Sequence, residues 1–234
     1  MKNTNKILIT QSNYIPWKGY FDSIAQSDVF VVYDDMQYTK RDWRNRNLIK
    51  TQNGTKWLSI PIDVKGKYLQ KINESTVSDP QWNRNHYNIL IDNYRKAKCF
   101  NEVKNFIEHL YLTNQSVYLT EINIYFITQI CNFLGIHCNI KLSSEFELVE
   151  GKTEKLVGIC KQLNGTNYLT GPAAKEYLDE ELFSNADINI QYFDYSNYRE
   201  YDQISPPFVH AVSIIDLIFS EGNNAKFFLK SSND

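Results

Sequence analysis

The chain has 234 residues and a mass of 27.5 kDa, room for one large domain or two small ones at roughly 100–200 residues each. Hydrophobic residues make up 42% and charged residues 22%, mean hydropathy is -0.46, and no stretch approaches the ~18 uninterrupted apolar residues of a membrane span, which excludes integral membrane, collagen-like and disordered classes. A net charge of -2 supplies no basic field for nucleic acid.

Residues 6–10, Lys-Ile-Leu-Ile-Thr, are an apolar run that reads as a buried strand. Residues 17–26 place Trp17, Tyr20, Phe21 and Ile24 at helical spacing. Residues 28–33 are a second apolar run. Strand, helix and strand in so short a span predict a βαβ unit, with parallel strands and a right-handed crossover. Residues 34–50 lack a period and read as a long polar loop. Residues 56–63 and 68–74 read as strands, the first limited by Pro61 to an edge or an end. Helices are expected over 81–97, 101–112 and 116–134, the last ended by Gly135. Further strands are expected at 138–142, 168–169 and 188–193, and helices at 153–163, 172–178 and 209–219, with a frayed tail at 230–234.

The expected fold is therefore α/β: one domain over residues 1–234, a Rossmann-like parallel sheet with a helical insertion at about residues 80–135. Cys99, Cys131, Cys138 and Cys160 form no CxxC pair and read as free, buried thiols. With an N-terminal apolar run too short for a secretory signal, they point to a reducing, cytoplasmic compartment.

Open α/β sheets bind ligands where loops leave the carboxyl ends of the strands. The first such loop carries Gln11, Asn13, Tyr14, Trp17, Gly19 and Tyr20, and the second Asp34, Asp35 and Gln37. Gly19 at a helix start permits close approach of a ligand, and helix N-termini favour anions. Residues 40–47 add four cations, two asparagines and a tryptophan. Arg41, Arg44, Asn45, Arg46 and Asn47 are read as a clamp for a nucleotide diphosphate; a solvated basic loop is the plainer alternative.

The arrangement strand, PWxGY, helix, strand is similar to nucleotidyltransferases with an HxGH motif after the first strand. Trp17, Gly19 and Tyr20 align with it, and both histidines are absent. A longer pattern is more specific. Gln-x-Asn-Tyr-x-Pro-Trp-x-Gly-Tyr-Phe-Asp, then Asp-Val-Phe-Val-x-x-Asp-Asp-x-Gln-Tyr-Thr-Lys-Arg-Asp-Trp-Arg-Asn-Arg-Asn, resembles the WbqC-like family. So do Trp82 with His86, Tyr168-Leu169-x-Gly171 and Ser213-Ile214-Ile215-Asp216-Leu217. Ser12 stands where the family often has proline.

The resemblance implies a role in bacterial O-antigen or other surface-polysaccharide biosynthesis, with acyl or aminoacyl (glycine) transfer to an amino sugar. A nucleotide-linked sugar is the expected substrate, and a carrier-protein or CoA thioester the candidate acyl donor, which makes an acyl carrier protein a candidate partner. Acylating an amine needs a base and oxyanion donors. His86, one helical turn from Trp82, is the first candidate base, with Asp34 and Asp35 as alternatives that can also position a sugar or hold Mg²⁺. Gly171 and Asp216 complete the expected substrate site. Asp216 lies in an apolar helix and needs a partner, expected to be an arginine of the basic loop. A degenerate nucleotidyltransferase and a non-catalytic nucleotide-sugar-binding module are the other readings.

Overall fold

A computed structural model describes residues 4–232. The last two residues of the expected frayed tail lie outside them; Lys230–Ser232 forms a 3-10 turn. The first strand, β1 (Lys6–Thr10), leads through a loop into α1 (Lys18–Ala25) and β2 (Val29–Val32). β1 and β2 pair in parallel, Ile7 opposite Val29 and Thr10 opposite Val32. Continuous apolar runs suit strands covered on both faces, and both strands are almost wholly buried.

Residues 34–50 are not one loop. A strand, β3 (Arg46–Thr51), pairs antiparallel with β4 (Gly54–Ser59) in a separate two-stranded sheet. Gly54 follows the turn at φ 117°, a conformation that suits glycine. Polar Asn47 and Lys50 hide the strand, because both are buried. Residues 68–74 are not a strand either: they form a turn and a 3-10 turn at Ile72–Glu74, touched by an isolated bridge between Gln37 and Lys71.

Three helices follow, α2 (Trp82–Tyr94), α3 (Phe100–Leu112) and α4 (Leu119–Leu134). Gly135 closes α4 in the left-handed region at φ 71°. Then come β5 (Asn139–Leu142), α5 (Lys152–Gln162), β6 (Asn167–Thr170), α6 (Glu180–Ser184), β7 (Asn189–Tyr192) and α7 (Ile214–Glu221). The expected 172–178 helix is a 3-10 turn, Pro172–Glu176, with proline in its first turn. α7 starts later than expected because residues 193–213 form an irregular strap. Lys18 Nζ reaches the Arg199 carbonyl of this strap at 2.6 Å. Burial lowers the Lys18 pKa to about 8.

The main sheet runs β5-β2-β1-β6-β7, all parallel. Counted along this sheet alone, the order is 3-2-1-4-5, a doubly wound, Rossmann-like arrangement. Alternation assigns side chains to two faces. Ile7, Ile9, Val29, Val31 and Tyr168 pack with Leu156, Val157 and Ile159 of α5 and Phe183 of α6. Leu8, Phe30, Val32 and Leu169 join the other core, with residues of α1, the inserted α2–α4 and α7. Among the described residues, no helix is long and apolar enough to cross a membrane.

Candidate functional site

In a doubly wound sheet, the strand order reverses between the first strand and the next one laid on its other side, and a crevice opens there. Here that point lies between β1 and β6. A cavity of about 630 Å³ occupies the carboxyl edge, within the ~300–1,000 Å³ of small-molecule sites. Thr10 and Gln11 line it from β1, Tyr33 and Met36 from beyond β2, and Tyr168 from β6. Its remaining wall is the start of α5, with Gly151, Lys152 and Lys155, and Tyr177. Lys152 is exposed and Lys155 half-buried. Burial, helped by Asp35, lifts the Tyr33 phenol to about 12, so it keeps its proton and can donate. Gly151 stands at φ 101°, and a Cβ there would run into the Glu154 carboxylate folded over the helix start. Two ammonium groups, a helix N-terminus and phenolic rings suit a ligand with an anion and a flat or apolar part.

Below the first loop the polar residues are already engaged. Asp34 is 2% exposed and accepts from the Ser12 amide at 2.8 Å, the Ser12 hydroxyl at 2.5 Å and Thr120 Oγ1 at 2.7 Å. Burial raises its pKa, and these hydrogen bonds oppose the rise. Asn123 Nδ2 donates to Ser12 Oγ and to the Arg44 carbonyl. This knot ties the ends of β1 and β2 to α4. Asp35 turns elsewhere and accepts from Ser143 Oγ at 2.7 Å, so the adjacent carboxylates do not converge as a metal claw.

His86 lies in the core, 6% exposed, and borders no described cavity. Its ring donates to the Ser59 carbonyl. Nδ1 therefore accepts from the Tyr14 hydroxyl at 2.8 Å, and Tyr14 in turn accepts from Tyr111 at 2.7 Å. Burial lowers the His86 pKa to about 4. Both ring nitrogens are spent on structure, which argues against a base in contact with substrate. Asp216 finds no arginine. Tyr94, Tyr201 and Gln203 Nε2 each donate to it at 2.8 Å, a correction to the expected pairing. Tyr20 donates to the Gln11 carbonyl at 2.9 Å. The space above Gly19 is filled by the Trp17 ring, so the glycine admits an indole rather than a ligand.

The sequence model of the WbqC-like protein family matches residues 11–227. The chain belongs to that family. It is also 45% identical over 225 residues to an uncharacterized protein of Mycobacterium tuberculosis, covering 96% of this chain and 97% of the relative. No solved structure matches it.

Segment 40–47 of this WbqC-like chain lies away from the crevice lining. Arg41 is exposed at φ 60°. Arg44 lies 3.6 Å from Asp42, and Arg46 stacks 4.0 Å over Trp57. Asn45 donates to the Ile60 carbonyl. Asn47 donates to the Tyr14 and Ile15 carbonyls and accepts from the Leu48 amide, so its amide is fully used in the fold. Gln37 lines a separate cavity beside Tyr38 and Lys40. Asn13 and Trp17 line a smaller one with Trp43 and Asn47. The expected single cavity holding Asn13, Tyr14, Asp34, Asp35 and Gln37 is thus dispersed. Gly171 begins the turn after β6 at φ -74°, with ordinary contact space at its Cβ position. Sequence reasoning missed Lys152, Lys155, Tyr33 and Tyr177 in the WbqC-like crevice. The signal was Gly151-Lys152 at the start of the helix that feeds β6.

Proposed function

We propose that this WbqC-like protein is a transferase of bacterial surface-polysaccharide (O-antigen) assembly. It binds a nucleotide-linked amino sugar in the crevice between β1 and β6. It then catalyses acyl or aminoacyl transfer to the sugar amine. The observation that carries the binding step is the pairing of Lys152 and Lys155 at the start of α5 with Thr10, Tyr33 and Tyr177 around one cavity. Ammonium groups and backbone N–H groups at a helix start hold phosphate oxygens, and phenolic rings cover the base or sugar.

The transfer step rests on the family resemblance. With a carrier-protein or CoA thioester as donor, the neutral amine attacks the carbonyl. A C–N bond forms, the C–S bond breaks, and the amine proton leaves with the thiolate. A thiolate is a good leaving group, with an ordinary thiol pKa near ~8.5, so the reaction asks chiefly for orientation and oxyanion donors. Lys155 and the Tyr33 phenol are candidate donors among the lining residues.

Melting curves with UDP-, dTDP- and CDP-linked amino sugars test the reading. A true ligand at ~100 times its Kd adds about 2.7 kcal/mol of stability. No shift with any of them overturns the binding step. A shift followed by pyrophosphate release would favour a nucleotidyltransferase, and a shift without turnover by any thioester a binding module.

A further inference from the structure

Three of the four tryptophans gather beside residues 40–47, outside the crevice. Trp43 and Trp57 pack at 5.4 Å with their rings inclined by 45°, yet they stay 41% and 40% exposed. Trp43 also walls a cavity of about 240 Å³ with Asn13, Trp17 and Asn47. Close by in sequence stand buried polar atoms without a partner: Oδ1 of Asn13 and of Asn45, and Nε of Arg44 and of Arg46. Asn45 is 8% exposed and the Arg44 side chain 12%.

We propose that Trp43 and Asn13, with Trp57 packed beside Trp43, form a carbohydrate subsite, separate from the crevice, that seats one pyranose ring. Two adjoining exposed indoles add nothing to the core, and exposed apolar patches of this kind mark binding surfaces. A pyranose has a C–H face that covers an indole and a rim of hydroxyls that needs donors and acceptors. Asn13 Oδ1 supplies an acceptor without a protein partner in the cavity wall. A buried acceptor left unpaired is destabilising, and a ligand hydroxyl that donates to Asn13 Oδ1 offsets it. A purely apolar ligand would leave Asn13 Oδ1 unpaired, and a bare phosphate would leave the indoles exposed. The volume is below the ~300–1,000 Å³ typical of drug-sized ligands, which limits the occupant to one ring. None of the residues lining this cavity lines the crevice. The subsite therefore adds a sugar contact to the proposed transferase and stands without the nucleotide reading.

The test is titration of the full chain with N-acetylglucosamine, N-acetylgalactosamine and glucuronic acid, read by indole fluorescence and by saturation-transfer NMR. At least one sugar should saturate at millimolar concentration, with transfer to its C–H face. Trp43→Ala should weaken binding at least tenfold, Trp43→Phe should retain it, and Asn13→Ala and Trp57→Ala should each weaken it several-fold. Circular dichroism and melting of each variant check the fold, and the phenylalanine variant keeps the ring where alanine disturbs it. Lys155→Ala should leave sugar binding unchanged. No response to any of the three sugars overturns the subsite, as does Trp43→Ala binding like the parent. Loss of sugar binding in Lys155→Ala would move the sugar to the crevice. Nucleotide-sugars that fail to bind while free sugars bind would sink the crevice reading and leave the subsite standing.

Discussion

Two regions at the carboxyl edge of the sheet are rich in polar side chains, and they differ in what those side chains already touch. Beneath the first loop, Asp34, Tyr14, His86 and Asp216 have protein partners for their hydrogen-bonding groups. Around the crevice, Lys152, Lys155, Tyr33 and Tyr177 line a cavity large enough for a small molecule. The first region is a brace, in which polar groups fix loops against helices. The second presents charge and hydroxyls to whatever enters. A polar residue in an unusual sequence context thus says only that it has a partner; the fold decides whether that partner is protein or ligand.

The largest expected effect lies in the brace. Asp216 is fully buried and accepts three hydrogen bonds. Asp216→Ala strands the Tyr94, Tyr201 and Gln203 donors, and each buried donor left unpaired costs ~1–3 kcal/mol. At ~2–4 °C per kcal/mol for a chain of this size, calorimetry should find melting lowered by about 10 °C. A loss below about 1 kcal/mol would mean that Asp216 is not part of a brace.

The pH dependence of His86 follows from its burial. Its pKa is about 4 in the folded chain against an ordinary 6.5. The unfolded chain therefore takes up the proton first. Stability from this residue is present above pH ~6.5 and is lost as the pH falls toward 4, by about 2 kcal/mol at pH 5. Asp34 and Asp216 have raised pKa values and push the other way, so the comparison must isolate the histidine. His86→Gln should show a shallower loss of stability than the parent between pH 7 and pH 5 in urea titrations. Equal slopes would mean that His86 is solvated, and would reopen its candidacy as a base.

The legibility of the chain follows the same divide. The β1–α1–β2 unit was plain because its strands are continuous apolar runs and its helix repeats Tyr20, Phe21 and Ile24 on one side. The β3–β4 hairpin was not, because buried Asn47 and Lys50 break the alternation that marks a half-buried strand. Of the site, the reading pointed to the carboxyl ends of the parallel strands, and a cavity opens there. The reading overlooked Lys152 and Lys155, which in an amphipathic helix look like a solvated face. Only the sheet order brings the start of α5 to the crevice.

The crevice is expected to answer to ligand and not to folding. Lys155→Ala removes a half-buried ammonium with no protein anion within ion-pair distance among the described residues. Stability should change by less than about 0.5 kcal/mol, as for surface sites without special features. Nucleotide-sugar affinity should fall about tenfold, the ~1.5 kcal/mol of a charge-assisted hydrogen bond. Isothermal titration alongside melting separates the two. A variant that melts early but binds normally would transfer Lys155 to the brace.

The smallest effect sharpens the comparison at Gly171, which belongs to neither list. The family pattern marks it, and it follows β6 at the edge of the same crevice. Its backbone, φ -74° and ψ 158°, is open to any residue, and a Cβ would meet Tyr195 at 3.8 Å, an ordinary contact. Nothing inside the protein therefore requires glycine. Gly171→Ala restricts the unfolded chain and should leave stability within ~0.5–1 kcal/mol of the parent, on the stabilising side if anything. The remaining reason for a glycine is a ligand that approaches the backbone too closely for a methyl group. Equal nucleotide-sugar affinity in Gly171→Ala is the outcome expected from the cavity lining, which omits this residue. A fall in affinity with unchanged melting would extend the binding surface along β6 and make Gly171 a ligand contact after all.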